Sequence, residues 1–301
     1  MATAQVGIFG SGTVEHFYAE LDLRHGASPP ALVASLAILI GPTTTVRGVN
    51  TVVGVRPELW AQVSPDAALP DTVGFDDDVV GVGGFRMPGT QHDAWMWIAG
   101  GARDIVFDAG VDALRDVGPL TTVASEVNGW VYRHDRDLTG FIDGTENPSQ
   151  LEQHDVAVRP DGPGAGTSIV LVQQWRHHTT EFASLPVGEQ ERVIGRGKAD
   201  SVELAAGAMP ADSHVSRTVL ERDGEELPIF RRNTAYGGVT DHGTMFVGFS
   251  REQYRLAEML RRMAGVTDGV RDALTRYATP LTGAYYVVPA VEALVQLLPD
   301  R

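Results

Sequence analysis

The feature that most constrains the fold is an alternation of strand-like and helix-like segments along both halves of the 301-residue chain. In the first half, short alternating or apolar runs predict strands at 16–23 and 94–101. Helices are predicted at 29–40, which opens on two prolines, and at 102–118. This mixed succession indicates an α+β protein.

The second half also alternates predicted strands and helices. Its predicted strands are 167–175, 216–221, 227–232, 244–250 and 285–289, and its predicted helices are 185–196, 251–265 and 290–298. The dipeptide Asp223-Gly224 is typical of a hairpin turn and lies between two of these strands.

The segment 140–166 interrupts the pattern with polar and glycine-rich residues. Loops of this length inside a compact protein are usually functional or act as linkers. We therefore predict two halves, 1–150 and 151–301, with residues of this segment contributing to a site between them.

The chain contains no cysteine, which excludes disulfides, iron–sulfur clusters, cysteine nucleophiles and thiolate-ligated haem. Any metal must then be held by His, Asp, Glu or a cofactor. Nine histidines are available for that role.

The chain carries 39 acidic and 24 basic residues, a net charge of −15, which argues against nucleic-acid binding. No apolar run approaches about 18 residues, so no membrane span is predicted. The first residues lack a basic segment followed by an apolar core. We expect a cytoplasmic protein.

Four segments carry side chains suited to chemistry: 140–148 with Asp143, 193–204 with Arg196, 213–218 with His214, and 229–236 with Arg231 and Asn233. Each has an ordinary structural explanation. Asp143 precedes a glycine as turn residues often do, and His214 can occupy the first turn of a helix. An acidic calcium or hydrolase site built on the letters DGTEN is a further possibility, although it leaves His214 and Arg231 unexplained.

Together these segments resemble one family. The letters GFIDGTENP (140–148) resemble the signature of the dye-decolorizing peroxidases, and the short loops resemble their bacterial class B. The other matching segments, in order, are 48–54, 88–101, 136–148, 172–178, 189–204, 213–218, 229–233 and 282–289.

The resemblance implies two ferredoxin-like halves, each an antiparallel sheet with packed helices, and haem b (iron protoporphyrin IX) bound between them. It implies an enzyme that reduces hydrogen peroxide and oxidises dyes, phenols and other small aromatic reductants through a ferryl intermediate. A non-catalytic haem carrier or sensor on the same fold is the alternative.

On the distal side of the haem, the resemblance implies roles for three residues. Asp143 matches the aspartate that moves a proton between the peroxide oxygens. Arg231 matches the arginine that stabilises charge on the leaving oxygen, and Asn233 matches the distal polar residue.

On the proximal side, the resemblance makes His214 the iron ligand and Glu226 the acidic partner of its imidazole. Arg196 is implied to contact a haem propionate. The motif residues implied to contact the cofactor are Gly144, Thr145 and Glu146.

Bulky dyes cannot enter a tight pocket, so electrons are expected to travel through aromatic side chains to the surface. The candidates are Tyr132, Trp175, Tyr236, Tyr285 and Tyr286. For each of them taken alone, an ordinary core position is the favoured explanation. We also expect a homo-oligomer, and no loading into a protein nanocompartment because the sequence ends without the tail that directs it.

Overall fold

The computed structural model describes residues 2–40, 48–133 and 136–298. The strands are β1 Glu15–Leu23, β2 Val49–Val55, β3 Val79–Val80, β4 Arg86–Met87, β5 Ala94–Gly100, β6 Thr121–Trp130, β7 Ser168–His177, β8 Glu221–Arg222, β9 Glu225–Glu226, β10 Phe230–Arg231, β11 Thr234–Gly237, β12 His242–Ser250, β13 Ala278–Pro280 and β14 Ala284–Val288. The helices are α1 Pro29–Leu39, α2 Pro57–Val63, α3 Arg103–Val117, α4 Gln153–Ala157, α5 Thr179–Ala183, α6 Val187–Ile194, α7 His214–Thr218, α8 Gln253–Met263 and α9 Val291–Val295.

Within the described residues, ten strands form one antiparallel sheet in the order β10-β12-β11-β6-β1-β5-β2-β14-β7-β13. Strand β12 also pairs with β7 along their length, from Gly243 opposite Arg176 to Ser250 opposite Ile169. This second pairing closes the sheet, because each strand from β12 through β11, β6, β1, β5, β2, β14 and β7 pairs with the next, and β7 pairs again with β12. The two hairpins β3–β4 and β8–β9 lie apart from this sheet.

The closed sheet separates two cores, because successive side chains of a strand point to opposite faces. On β1, Phe17 and Leu21 pack with the helices, whereas Tyr18 packs on the other face with Trp95 and Trp97. The inner core is stacked: the Trp95 and Trp97 rings lie 6.4 Å apart. The outer, helix-covered face of β7 and β12 is the one that carries the candidate site.

Local sequence explains where the helices begin and pack. The Ser28 hydroxyl accepts a hydrogen bond from the Ala31 N–H at the start of α1, and prolines follow at the first helical positions. Gly110 of α3 packs over the Phe17 ring, where an added Cβ would make an ordinary contact of 3.4 Å.

Most predicted elements are confirmed within one to three residues at their ends. The exception is 216–221, predicted as a strand, which lies partly in α7 because Ser213 caps a helix that begins at His214. The hairpin at Asp223-Gly224 is present, with strands of only two residues. Strands β2 and β6 were not predicted, because neither segment stands out as a long apolar run. None of the helices in the described ranges has the length and apolar character needed to cross a membrane.

Candidate functional site

A cavity lies between the outer face of β7 and β12 and the helices α7 and α8. It holds about 1100 Å³ of space, including its opening. Its apolar wall is formed by Phe141, Ile142, Trp175, Ile194, Val215, Phe246, Met259, Leu260, Met263, Leu274 and Ala278. Its polar side chains come mainly from the four segments that stood out in the sequence.

His214 is the first residue of α7 and lines this cavity. Its Nδ1 lies 2.7 Å from Oδ2 of Asp272, a carboxylate that is fully buried. The second oxygen of Asp272 accepts a hydrogen bond of 2.8 Å from the Leu274 N–H, which fixes the carboxylate. A carboxylate at Nδ1 places the proton there, so Nε2 retains its lone pair. The imidazole is thereby prepared to bind a metal through Nε2.

Glu226 is not the partner of this imidazole, contrary to the prediction. Glu226 is exposed in the short hairpin β8–β9, where it stands opposite Glu221. The hairpin carries it away from His214, while the turn after α8 brings in Asp272, 58 positions further along the chain. Asp272 was missed because no local pattern links two residues so distant in sequence.

Asp143 follows Phe141 and Ile142, lines the cavity and is half-buried. Its Oδ1 accepts hydrogen bonds from the Gly144 N–H at 2.7 Å and from Asn233 Nδ2 at 3.2 Å. Gly144 has a φ of +74°, a conformation that favours glycine. Two donors therefore hold one carboxylate oxygen and leave Oδ2 directed elsewhere.

The motif is tied to β10 by Asn147, a residue the sequence analysis left without a role. Its Oδ1 accepts from the Arg231 N–H at 2.7 Å, and its Nδ2 donates to the Arg231 carbonyl at 3.0 Å. This paired contact sets the position of Arg231 relative to Asp143. The sequence shows an asparagine within the motif but does not indicate which residue its amide contacts.

The site has strongly perturbed electrostatics. Burial raises the pKa of Asp143, and repulsion from Asp137 raises it further, while Asn233 and Arg231 oppose the change. Burial lowers the pKa of Arg231, and the Asp143 carboxylate opposes that shift. An arginine remains protonated even so. The cavity thus holds a permanent cation beside a carboxyl group that gains its proton more readily than a free aspartate does.

Asp137 is a second carboxylate of the cavity wall that sequence reasoning overlooked. It accepts hydrogen bonds from Thr244 Oγ1 at 2.7 Å and from the Thr139 N–H at 2.8 Å. His177 Nδ1 lies 3.9 Å from it. Although burial opposes ionisation, His177 and the hydroxyl donors keep the pKa of Asp137 below its usual value. His177 itself also lines the cavity.

Replacing Asp137 by asparagine is expected to lower the pKa of Asp143, because it removes the nearest negative charge. The carboxylic-acid infrared band of Asp143, assigned by its loss in Asp143→Asn, should then disappear at lower pH than in the unmodified protein. Asp155→Asn is the control, since that side chain is 86% exposed. An unchanged titration in Asp137→Asn would show that the two carboxylates are not coupled.

The remaining predicted contacts lie along one edge of the cavity. Arg196 forms ion pairs with Glu146 and with Glu203, the latter at 2.6 Å. Its Nε is buried and has no hydrogen-bond partner among the described residues. Gly144 and Thr145 also line the wall, Thr145 with an exposed side chain. Two carboxylates therefore occupy the end of the Arg196 guanidinium, and Nε is the donor it has left for a further acceptor.

Comparison with known proteins gives a consistent result. Residues 134–293 match a family model described as Dyp-type peroxidase, C-terminal. A dye-decolorizing peroxidase from Rhodococcus erythropolis is 34% identical over 271 residues, covering 87% of this chain and 78% of the relative. One from Mycobacterium tuberculosis is 38% identical over 221 residues, covering 69% of this chain. The chain spans only 60% and 64% of the length of two mycobacterial relatives.

The fold is similar to solved structures as well. DyPB from Rhodococcus jostii matches with a TM-score of 0.88 and 32% identity over 95% of each chain. That protein has been solved with heme in variants that replace an aspartate, an arginine or an asparagine. A structure described as a DypB variant in complex with manganese is similar as well.

Proposed function

Because this chain belongs to the Dyp-type peroxidase family, we propose that it is a haem peroxidase that reduces hydrogen peroxide. Its reductants are dyes, phenols and other small aromatic molecules. The observation that carries the proposal is one cavity that brings together His214, with a free Nε2, and the pair Asp143 and Arg231. A carrier or sensor needs the histidine and the pocket, but has no need of a buried carboxyl group beside an arginine.

The residues present fit a haem group. His214 offers Nε2 as an iron ligand, and Asp272 raises its basicity through Nδ1. The apolar wall suits a porphyrin face, and the unpaired Nε of Arg196 suits a propionate. The same donor set supports the proposal that the group is haem b, whose propionates are its only acidic substituents.

Bound haem would supply the redox chemistry of its iron, and His214 would hold that iron through Nε2. Asp143 would accept a proton from one oxygen of the peroxide and return it to the other. Its Oδ1 is already held by Gly144 and Asn233, so Oδ2 is the atom for that transfer. Arg231 would stabilise the negative charge on the leaving oxygen. Phe141 and Ile142 would keep bulk water from the carboxyl group.

Electron supply from bulky reductants is part of the proposal. Among the predicted aromatic residues, Trp175 lines the cavity directly, with its Nε1 3.3 Å from Gln173 Oε1. Tyr286 lies in the inner core and donates to Glu20 at 2.7 Å. Trp175 is therefore the favoured first acceptor of the oxidising equivalent, and Tyr286 is better explained by packing.

We propose that the halves 1–150 and 151–301 are ferredoxin-like units. Support comes from the strand orders β6-β1-β5-β2 and β11-β12-β7-β14, each with its longest helix between sequential strands. A homo-oligomer is supported by the exposed Phe107 and Val111, one turn apart on α3. The cytoplasmic location and the absence of a nanocompartment partner stay predictions from the sequence.

A direct test is to mix the haem-loaded protein with hydrogen peroxide and an anthraquinone dye. We expect bleaching that requires both the peroxide and the loaded protein. Bleaching at the rate of free haem, or haem uptake without any peroxide-dependent turnover, would leave only the carrier function.

Replacing Asp272 by asparagine is expected to raise the reduction potential of the bound iron. Without the carboxylate at Nδ1, the imidazole is less basic and donates less electron density to the iron. A rise of at least about 59 mV, a tenfold change for one electron, is expected in spectroelectrochemical titration. Glu226→Gln is the matched control and should leave the potential unchanged, since Glu226 is exposed in the hairpin. A shift in the control but not in Asp272→Asn would restore the original prediction.

A further inference from the structure

The sequence contains a single lysine among its 24 basic residues, and this residue, Lys198, has no part in the proposed mechanism. It is half-buried and follows shortly after α6, which ends at Ile194. Its backbone N–H donates to Oε1 of Glu191 at 2.9 Å. Its Nζ donates to Oε1 of the buried Gln190 at 2.5 Å and lies 5.4 Å from the centre of the Phe141 ring. That distance is within the range of a cation–π contact.

The turn against which Lys198 packs lies between the two carboxylates of the cavity wall. The Asp137 N–H donates to the Phe141 carbonyl at 2.9 Å, and the Gly140 N–H donates to the Asp137 carbonyl at 2.8 Å. Gly140 has a φ of +89°, a conformation that favours glycine. A Cβ added there would lie 3.1 Å from Lys198 Cε, so the lysine stem packs directly on this turn. Asp143 follows the turn within three residues.

The other end of the same loop is held from the same segment. Arg196, two residues before Lys198, forms an ion pair with Glu146. Two cations of one short segment therefore contact the two ends of the loop 140–146, and Asp143 lies near the middle of that loop. Contacts at both ends restrict the conformations that the residues between them can adopt.

We propose that Lys198 is a positioning residue, which together with Arg196 holds the loop 140–146 so that Asp143 keeps its place beside Arg231. A lysine suits this position because its ammonium group is compact and its stem is flexible, so that it can lie over a ring and reach an amide oxygen at once. That the positioning serves the reaction with peroxide rests on the proposed function.

The test is Lys198→Met, which removes the ammonium group and keeps an unbranched stem. In the haem-loaded protein, the rate constant for the reaction with hydrogen peroxide should fall about tenfold, because a displaced proton acceptor reacts more slowly. The carboxylic-acid infrared band of Asp143 gives a second readout. Burial and repulsion from Asp137 raise the pKa of Asp143, and a relaxed loop weakens both causes. The band should therefore disappear at a lower pH than in the unmodified protein.

Arg192→Met is the matched control, because it removes an exposed cation from the last turn of α6 and should leave both readouts unchanged. Lys198→Gln is a second neutral variant, which should behave like Lys198→Met and replaces it if that protein does not fold.

The direction of the infrared shift separates positioning from a direct effect of charge. Loss of a cation that acts through its field alone would move the Asp143 band to higher pH, and that result overturns the proposal. An unmoved band, with only a lower stability, overturns it as well. The infrared titration needs no peroxide. A band shifted to lower pH, in a protein whose unmodified form does not react with peroxide, would support the positioning of Asp143 and refute the proposed function.

Discussion

Replacement of His214 by alanine is expected to abolish the haem Soret band of the purified protein, even after haem is supplied. His214 is the cavity histidine whose Nδ1 is fixed by a buried carboxylate, which leaves Nε2 as the ligand atom. Without it the porphyrin would lose its iron–nitrogen bond and retain only contacts with the apolar wall. Absorption spectra of the variant and the unmodified protein, each titrated with haem, give the measurement.

The matched control is His177→Ala, because His177 is the second histidine that lines the same cavity among the described residues. Its Nδ1 lies close to Asp137 rather than to Asp272, and a normal Soret band is expected in that variant. External imidazole should restore the band in His214→Ala by filling the space of the lost ring. Loss of the band in His177→Ala with retention in His214→Ala would reverse the assignment of the ligand.

The sequence predicted the main strands and helices because their patterns are local. Strand β7 is an apolar run of ordinary strand length, and α8 carries apolar residues at helical spacing. Closure of the sheet could not be predicted in this way. It depends on β12 pairing with β11 on one side and on the other with β7, a strand from much earlier in the chain.

In the candidate site, too, local patterns could be predicted and contacts between distant residues could not. Asp143, Arg231, Asn233 and His214 lie within short matching segments, and the structure brings all but Asn233 into one cavity wall while bonding Asn233 to Asp143. The partners that tune them come from elsewhere in the chain. Asp272 acts on His214 from 58 positions away, and such pairs leave no trace in a single sequence. Glu226, the wrong partner, was implied only by the resemblance to the family, and it lies in the β8–β9 hairpin.

Replacement of Arg231 by leucine is expected to slow the reaction with hydrogen peroxide more than replacement of Asp143 by alanine. Loss of one charge-stabilising donor typically costs about 10²–10³-fold in rate. Loss of a general acid–base costs about 10²–10⁴-fold, so the magnitudes alone do not rank the two variants. Stopped-flow rate constants for the two variants, measured across pH, give the comparison.

The surroundings of the two residues decide the order. Asp137 lies on the same wall and remains ionised, so it offers a second proton acceptor when Asp143 is removed. The other cavity arginine, Arg196, is already paired with two glutamates and is a poor substitute for Arg231.

Arg231 also lowers the pKa of Asp143, so its loss raises that pKa further. When the pH is lowered, a carboxyl group with a raised pKa becomes protonated at a higher pH than one with an ordinary pKa. Only the ionised form can accept a proton. As the pH is lowered, the rate of Arg231→Leu should therefore begin to fall at a higher pH than the rate of the unmodified protein. This loss of the proton acceptor adds to the loss of charge stabilisation. In Asp143→Ala that acid limb should instead be absent or belong to Asp137. A slower reaction in Asp143→Ala, with an unmoved acid limb in Arg231→Leu, would make proton transfer the dominant contribution.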